Sequence, residues 1–543
     1  MKETSNDSIW LADTSDSTDT PLTLGDALNH AAKAWPQNDA VIYSCQPDVE
    51  ETRWSYETLN TMAQCLADSL LSYGYAPGDK VAVWGPNHPQ WVLLEYAFAK
   101  AGLVIVALNP LYKRSELAYA LNASEVVGIF YADNVAGNHL IEVIDLVKPA
   151  VPTLRWTHSF SRGINDLLKR VTSAAWEVSV DPSDIFMIQY TSGTTGNPKA
   201  TQLTHAAITT TAANSYRRWG FLEGSRVCHG FPLFHVGGSG NSIPGAMLTG
   251  GTTLPLYIFR ADKTLDILEK ENCHGFIGVP TMLTMMLDDP SFASRDFSAL
   301  DIIVTGGALV PEYLVRRCEE QFGAEVLNCY GQTETCGVTS STMGGDSREV
   351  KTQSSGKPLD GVSVKVVDPH GRILPIGKPG EILYKGPGQM LAYRDAQANQ
   401  DAFDSNDWLR SGDLGIMDSS GNISVVGRKK EMIIRGGENL SPAEIEHYLL
   451  EHPDVASAAV IAIPDAKYGE EVCAVICPQD HIHSTAEDIK AWCSERVSRW
   501  KVPRYIIFMD ELPMTHSGKV KKYVLKEQVI TLIGHDISGA KTF

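Results

Sequence analysis

The sequence predicts an α/β protein with a large, multi-subdomain N-terminal domain of layered sheets and a small β-rich part, followed by a small α+β C-terminal domain. Two observations lead to this prediction. In the first part of the chain, apolar strand patterns alternate with helical patterns, which is typical of a largely parallel sheet covered by helices. Near residue 441, a helix start signal opens a further run of strands and helices.

The elements of the N-terminal part follow this alternation from Leu22 onward. The periodicity predicts helices over residues 26–34 and 91–100. Between them, residues 53–57 lead into a longer predicted helix that extends through Leu71. Strands are predicted over 81–84, 104–108, 184–189, 302–308 (ending in a glycine turn) and 325–329. The small β-rich part is predicted from a strand and turn over 380–386. Farther along, residues 408–415 precede a predicted hairpin, whose turn lies at 418–422.

The C-terminal part begins with a local capping signal. Ser441 and Glu444 have capping-box spacing, and Pro442 stands at the first helical position between them. This signal predicts a helix over 443–450, strands over 455–463 and 471–477, and a second helix over 486–497.

Composition excludes several classes of function. The chain has 543 residues, 43% of them hydrophobic and 20% charged, with a net charge of −19. The values for hydrophobic and charged residues are those of a globular enzyme, and the negative charge argues against nucleic acid as a partner. The segment 92–108 is too short and too interrupted to span a bilayer. The start of the chain has no signal-peptide pattern, and the cysteines lack metal-ligand spacing, so a cytoplasmic location is predicted.

A loop of hydroxyl residues, two glycines, an asparagine, a proline and one lysine follows the predicted strand 184–189. Glycine lets the backbone approach an anion closely, and successive N–H and hydroxyl groups can donate to phosphate oxygens. The lysine adds a positive charge, although the residue order is not that of a Walker A loop. The candidate phosphate-binding residues are Thr191, Ser192, Gly193, Thr194, Thr195, Gly196 and Lys199.

A second polar motif, Tyr330-Gly331-Gln332-Thr333-Glu334-Thr335, follows the predicted strand 325–329. Tyr330 offers a flat face on which adenine can stack. Thr333 can donate to a phosphate, and the hard oxygens of Glu334 suit Mg²⁺. The motif therefore predicts a site for a nucleotide and its metal ion.

These two motifs resemble the signature sequences of the adenylate-forming superfamily, which contains acyl- and aryl-CoA synthetases, adenylation domains of peptide synthetases, and luciferases. The motifs are closest to those of acyl-CoA synthetases. Together with the further matches given below, these motifs occur in the family's order and cover the chain from the glycine-rich loop to Lys519. One departure is Ala200, where the family usually has glycine, and it bears on whether the backbone is left-handed there.

The resemblance implies roles for further residues. Asp413 would accept hydrogen bonds from both ribose hydroxyls, and Arg428 would hold ribose or phosphate. Lys519, in a Thr-x-Ser-Gly-Lys match, would be the catalytic lysine, and His235 would border the acyl pocket and gate the thiol. Further nucleotide contacts would be Gly307, Ala308, Asn328 and Gly331, and the acyl and CoA pocket would include Gly237, Gly306, Gly436 and Gly437.

The resemblance also implies a division into domains. Residues 1–20, which are acidic and rich in Ser and Thr, are expected to be a flexible tail. Residues 21–428 would form the N-terminal adenylate-forming domain, and 429–543 the mobile C-terminal domain. Lys430 falls where the family has its interdomain hinge.

The reaction implied is that of an AMP-forming acid–thiol ligase. A carboxylic acid would react with ATP to give an acyl-adenylate, and CoA would then take the acyl group. Thr333, Lys519 and His235 are the predicted catalytic residues, with Glu334 and Thr191 at Mg²⁺. The acid would be a medium- or long-chain fatty acid or a hydrophobic aryl or alicyclic acid, and a homodimer is left open.

Three other functions are compatible with parts of the pattern. A stand-alone adenylating enzyme would pass the acyl group to a carrier protein, although no carrier-sized segment is expected after Lys519. A luciferase-type oxygenase would use O₂, for which the sequence has no signal. A nucleotide sensor would lack the catalytic lysine.

Overall fold

The structure is a computed structural model that describes residues 7–12, 22–135, 137–170, 176, 178–191, 198–308, 310–435, 438–465, 467–479, 484–514 and 519–537. Within these ranges the strands form sheets of seven, nine, five and five strands and one two-stranded hairpin. The mixed α/β architecture, with a large N-terminal and a small C-terminal domain, confirms the predicted fold class.

The helices in these ranges are α1 (Leu24–Ala34), α2 (Tyr56–Tyr73), α3 (Pro89–Ala101), α4 (Arg114–Ala123), α5 (Leu140–Val147), α6 (Gly163–Leu168), α7 (His205–Arg218), α8 (Ile243–Thr249), α9 (Ala261–Lys270), α10 (Pro280–Leu287), α11 (Glu312–Phe322), α12 (Arg348–Gln353), α13 (Ala396–Asn399), α14 (Pro442–Leu450), α15 (Ala486–Arg496) and α16 (Lys522–Ile537). A π-helical segment, Val236–Ser242, precedes α8. Among the described residues, no helix is both long enough and apolar enough to cross a bilayer.

The strands are β1 (Ile9–Trp10), β2 (Asp39–Tyr43), β3 (Thr52–Ser55), β4 (Lys80–Trp84), β5 (Val104–Leu108), β6 (Gly128–Tyr131), β7 (Asn134–Val135), β8 (Asn138–His139), β9 (Trp156–Ser159), β10 (Ile185–Thr191), β11 (Lys199–Thr204), β12 (Arg226–His229), β13 (Thr252–Pro255), β14 (Gly275–Gly278), β15 (Ile302–Gly306), β16 (Glu325–Tyr330), β17 (Ser340–Ser341), β18 (Lys357–Pro358), β19 (Ser363–Val367), β20 (Gly380–Lys385), β21 (Ala392–Tyr393), β22 (Leu409–Met417), β23 (Ile423–Arg428), β24 (Ile433–Arg435), β25 (Glu438–Leu440), β26 (Val455–Asp465), β27 (Gly469–Pro478) and β28 (Tyr505–Phe508).

The seven-stranded sheet has the order β21-β11-β10-β5-β4-β6-β9. The pairs from β10 to β9 are parallel, whereas β11 and β21 add antiparallel strands at one edge. All five residues of β5 are buried, as expected for a parallel strand covered on both faces. Helix α3 is likewise buried on nearly every side, because it lies between layers of the core.

The nine-stranded sheet has the order β18-β17-β16-β15-β14-β12-β13-β2-β3. In the stretch from β16 to β2 of this order, each strand pairs with its neighbour in parallel. Parallel strands present their carboxyl ends at a common edge, and ligands of α/β proteins bind at such edges. The motifs after β12, β15 and β16 therefore come together.

A third, antiparallel sheet, β1-β19-β20-β22-β23, forms the predicted β-rich part. The predicted flexible tail needs a correction here, because Ile9 and Trp10 pair with Lys365 and Val364 of β19. The apolar Trp10 packs against the main core. The acidic, hydroxyl-rich composition of residues 1–20 did not indicate that this short apolar pair forms a strand.

The C-terminal domain is built on the long antiparallel pair β26–β27. The two faces of this pair carry separate apolar clusters, one with α14 and α15 and the other with α16. The predicted N-cap is confirmed, since Ser441 Oγ accepts from the backbone N–H of Glu444 at 3.3 Å. The Glu444 carboxylate does not complete the box, and instead pairs with Lys501 at 2.5 Å.

Candidate active site

The glycine-rich loop joins two antiparallel strands, β10 and β11. Thr191 and Lys199 are direct partners in the register, so the two ends of the loop lie side by side. Ala200 pairs with Tyr190 in extended backbone, and therefore the departure from glycine needs no left-handed conformation. The predicted residues Ser192, Gly193, Thr194, Thr195 and Gly196 lie outside the described residues.

Lys199 points toward an aromatic ring that the sequence did not indicate. Its ammonium nitrogen lies 4.5 Å from the ring centroid of Tyr393, a cation–π distance. The hydroxyl of this tyrosine donates to Oε1 of Glu334 at 2.7 Å. Tyr393 thus connects the loop lysine to the acidic residue of the second motif.

The second motif turns sharply after β16. Thr333, Glu334 and Thr335 form a 3₁₀ turn that is closed by reciprocal bonds between Gln332 and Thr335. Thr333 is buried, and the turn is followed by Cys336 at a φ of 53°. A side chain at Gly331 would collide with the carbonyl oxygen of residue 337, which explains why glycine stands there.

The predicted ribose carboxylate, Asp413, is held from two sides. Tyr330 donates its hydroxyl to Oδ2 at 2.8 Å, and Arg428 Nε lies 3.0 Å from Oδ1. Burial raises the pKa of the Asp413 carboxyl, while the charge of Arg428 acts in the opposite direction. Burial also raises the pKa of Tyr330, which keeps its hydroxyl a donor.

Backbone, rather than side chains, forms the site at the end of β15. A side chain at Gly306 would collide with the carbonyl oxygen of Cys329, and Gly307 has a φ of 76°. A β-carbon at Gly307 would lie 3.9 Å from Cε of Lys519. Ala308 follows, exposed to solvent. Lys519 therefore lies next to the backbone at the end of β15.

Asn328 differs from its neighbours in the predicted nucleotide site. Its side-chain amide donates to the carbonyl oxygen of Ser354 at 2.9 Å, and its backbone N–H donates to Thr342 Oγ1 at 2.8 Å. These contacts fix β16 to the segments beside it. The nucleotide role of Asn328 stays a prediction.

Lys519 reaches this site from the C-terminal domain. Its loop is closed by a bridge between Met514 and Val520. One side of Lys519 is open to solvent. Desolvation by the protein around its ammonium and the charge of Arg428 lower the pKa of Lys519, and nearby carboxylates, including Glu334, act in the opposite direction. A cation therefore lies near several of the predicted nucleotide contacts.

His235 caps the π-helical segment Val236–Ser242. Its Nδ1 accepts from the backbone N–H of Gly237 at 3.3 Å, so the proton of the neutral ring resides on Nε2. Burial, with a contribution from the charge of Lys519, lowers the pKa of His235 to about 4. Phe231 packs closely over Gly237, which places an aromatic ring beside the histidine.

The predicted hinge, Lys430, lies in an exposed turn between β23 and β24. The turn is anchored by Lys429, whose backbone N–H donates to the carbonyl of Gly412 at 2.9 Å. Strands β24 and β25 form the hairpin beyond it, with Arg435 opposite residue 438. Gly436 and Gly437 lie outside the described residues, so their predicted CoA contacts are untested.

The chemistry of the site fits MgATP as a ligand. In the ranges that the structure describes, no group of three His, Cys, Asp or Glu side chains can hold a metal ion. The oxygens of Glu334 and Thr191 suit Mg²⁺, which they would hold together with ATP phosphates. Lys199, Arg428 and Lys519 supply the positive charge that a polyanion requires in a chain of net charge −19.

Sequence reasoning missed Tyr393 because no local pattern indicates it. It lies far along the chain from both the loop and Glu334, within a two-residue strand. Its pairing with Thr201 of β11 brings it into the site.

Two family models match the chain. The model of the AMP-binding enzyme matches residues 28–394, and that of the AMP-binding enzyme C-terminal domain matches 444–519. The first match covers more than half of the chain and contains the loop, the second motif and Tyr393. The second match ends at Lys519.

Named relatives match over nearly the whole length. YngI of Bacillus subtilis, which is assigned to the acyl-CoA synthetases, is 34% identical over 94% of this chain and 97% of its own. The mitochondrial medium-chain acyl-CoA ligase ACSF2 of Bos taurus is 32% identical over 93% of this chain and 87% of its own.

A solved structure shares the fold. ATP-bound MatB from Rhodopseudomonas palustris superposes with a TM-score of 0.84 at 26% identity, covering 93% of this chain and 99% of MatB. The match extends through both domains. The chain therefore belongs to the AMP-binding enzyme family of the adenylate-forming superfamily, as a carboxylate–CoA ligase of its acyl-CoA synthetase group.

Proposed function

We propose that this enzyme activates a hydrophobic carboxylic acid with ATP and transfers the acyl group to CoA. The observation that carries the proposal is the position of Lys519, which lies over Gly307 and within the electrostatic reach of Glu334 and Asp413. A lysine from the C-terminal domain thus meets the nucleotide contacts of the N-terminal domain. This arrangement supports the adenylate-forming half-reaction.

In the first half-reaction, a carboxylate oxygen forms a bond to the α-phosphorus of ATP. The bond from that phosphorus to the bridging oxygen breaks, and pyrophosphate leaves with the electron pair. Lys519 and Thr333 face the negative charge that develops on the α-phosphate, and preorganised donors of this kind stabilise a transition state strongly. Mg²⁺ would neutralise phosphate charge when it is bound at Glu334 and Thr191.

In the second half-reaction, the thiolate sulfur of CoA bonds to the acyl carbon, and AMP leaves with its phosphate oxygen. His235 would separate the acyl group from the thiol, and its uncharged ring would repel neither reactant. A rotation of the C-terminal domain about Lys430 would bring Gly436 and Gly437 to the adenylate in place of Lys519.

A medium-chain fatty acid is the substrate class that the relatives favour, because ACSF2 is named a medium-chain acyl-CoA ligase. The aromatic segment at 219–221 belongs to the packed core. Trp219 is 2% exposed, and its indole N–H donates to Ser341 Oγ at 2.9 Å. The pocket walls that remain near His235 are Phe231 and Phe234.

A panel assay tests the proposal. Pyrophosphate release is measured with and without CoA for fatty acids of increasing length and for aryl and alicyclic acids, and thioester is quantified alongside. We expect release with medium-chain acids and stoichiometric thioester when CoA is present. Adenylate formation without thioester would indicate transfer to a carrier protein instead, and absence of release with every acid would contradict the proposal.

A further inference from the structure

Tyr393 touches two residues of opposite charge through two different parts of its side chain. The hydroxyl donates to Glu334 Oε1 at 2.7 Å, while the ring face lies 4.5 Å from the ammonium of Lys199. The side chain is 8% exposed, so water is largely excluded from both contacts. A hydrogen bond to a carboxylate and a cation–π contact are both strengthened by such burial.

The backbone around Tyr393 is fixed to both motifs. Tyr393 pairs with Thr201 of β11, and the N–H of Arg394 donates to the carbonyl of Ala200 at 2.9 Å. The N–H of Met390 donates to the carbonyl of Glu334, also at a normal distance of 2.8 Å. The segment 390–394 therefore ties the strand after the glycine-rich loop to the turn that carries the acidic residue.

Asn399 fixes the tyrosine itself. Its side-chain oxygen accepts from the backbone N–H of Tyr393, and its amide donates to the carbonyl of the same residue, each at 2.8 Å. Tyr393 is consequently held at both of its backbone polar groups as well as at its hydroxyl. Such over-determined placement is typical of a residue that orients others.

The ring also keeps opposite charges apart. Among the described residues, no ion pair joins Lys199 to Glu334, although each contacts the same side chain. A direct pair would neutralise both charges before a phosphate or a cation arrived.

We propose that Tyr393 is a positioning residue of the metal–nucleotide site: its hydroxyl orients Glu334 toward Mg²⁺, and its ring holds Lys199 apart from that carboxylate. The inference rests on the proposed binding of MgATP. It adds a residue that acts through Glu334 and Lys199 rather than by touching the reacting atoms. The two functions are separable, because phenylalanine retains the ring and removes the hydroxyl.

The test compares the affinity of a non-hydrolysable ATP analogue with Mg²⁺ and in EDTA, by isothermal titration calorimetry. Tyr393→Phe should weaken binding of the Mg²⁺-loaded analogue about ten-fold, the effect of losing one hydrogen bond to a charged group. Binding of the metal-free analogue should change by less than about two-fold, because the ring contact with Lys199 is retained. The Mg²⁺ concentration for half-maximal adenylation should rise in parallel.

A matched control is Tyr75→Phe. Tyr75 is also a buried tyrosine, but its hydroxyl has no hydrogen-bond partner among the described residues, and it lies outside the site. Both affinities should equal those of the wild type. Tyr393→Leu removes the ring as well, and should weaken the binding of both forms of the analogue because Lys199 can then approach Glu334.

The outcomes separate this inference from the proposed function. Equal weakening of the two forms in Tyr393→Phe, or no weakening of either, overturns the role of the hydroxyl. Full affinity for both forms in Tyr393→Leu overturns the role of the ring. A wild-type enzyme that binds neither form overturns the proposed function, and the inference with it.

Discussion

Arg428 and Asp413 are direct partners in the register of β23 and β22, and their side chains form an ion pair with 3.0 Å between Nε and Oδ1. The second carboxylate oxygen of Asp413 accepts from Tyr330. The pair thus links the third sheet to the end of β16. A carboxylate aligned in this way presents fixed acceptors to a ribose, which gives the first prediction.

Asp413→Asn should weaken AMP binding about ten-fold or more, because the amide cannot pair with Arg428 and offers only one acceptor oxygen. Isothermal titration of AMP measures the change. Asp360→Asn is the control, since Asp360 pairs with Arg218 on the surface and its side chain is 76% exposed. Unchanged AMP affinity in Asp413→Asn would rule out the ribose contact.

Lys519→Ala should slow adenylate formation about a thousand-fold, which is the scale of losing a preorganised charge at a transition state. When acyl-AMP and CoA are supplied, the same variant should form thioester at nearly the normal rate. Single-turnover assays of the two half-reactions measure the difference. Lys521→Ala is the control from the same segment, and equal losses in both half-reactions of Lys519→Ala would refute the assignment.

The lowered pKa of Lys519 predicts an alkaline limit for adenylation. The ammonium loses its proton as pH rises through a pKa below the ordinary lysine value of 10.5, and its stabilising charge is then lost. The rate of adenylate formation should therefore fall at a lower pH in the wild type than in Lys519→Arg, whose guanidinium stays charged. If the pH–rate profiles of the wild type and of Lys519→Arg fell at the same alkaline pH, the group that titrates would be one other than Lys519.

Lys430→Pro should separate the half-reactions if the turn between β23 and β24 is the hinge. Proline fixes φ near −65° and prevents the backbone change that a rotation needs. Adenylation should stay within about three-fold of normal, because Lys519 already lies at the site, while thioester formation should fall at least about ten-fold. Lys430→Ala keeps the backbone free and serves as the control. Full activity of the proline variant in both assays would place the hinge elsewhere.

Buried histidines predict a loss of stability in mild acid. Burial lowers the pKa of His158 and of His205 to about 4, and that of His229 to about 3. Between these values and the unfolded value of about 6.5, the unfolded chain binds more protons, so the free energy of unfolding falls as pH falls. The melting temperature should drop by about 5 °C or more between pH 7 and pH 5.

The matched variant for this prediction is His158→Phe. The ring of His158 stacks on Phe130 with 4.7 Å between centroids, so phenylalanine can take its place. Its melting temperature should depend less steeply on pH, as differential scanning fluorimetry would show. A melting temperature that is constant from pH 7 to pH 5 in the wild type would contradict the assigned neutral state.

The sequence was most informative where local pattern and tertiary environment agree. Strand β5 was predicted at its observed limits because Val104–Leu108 is apolar throughout and buried on both faces. Helix α14 was predicted within one residue from its cap, since Ser441 accepts from Glu444 N–H whatever surrounds it. The strand that precedes the glycine-rich loop was likewise predicted from neighbouring residues alone.

Features that depend on distant pairing were not predictable in this way. Strand β1 exists because β19 offers an edge to Ile9 and Trp10, and two residues carry no periodicity. Tyr393 enters the site through its register with β11 and not through its neighbours in sequence. Similarly, the hydrogen bond from the Asn328 amide to the carbonyl of Ser354 is a relation that only the folded chain defines.

The direct pairing of Thr191 with Lys199 has a consequence for the segment between them. Because the flanking strands already hold its ends together, the conformational entropy of closing the loop depends only weakly on its length, and doubling that length would cost about 0.6 kcal/mol. Lengthening the segment with glycines should thus leave the enzyme folded while displacing the groups that we predict to bind phosphate. Selection for nucleotide geometry, rather than thermodynamic stability, would then set the number of residues between β10 and β11.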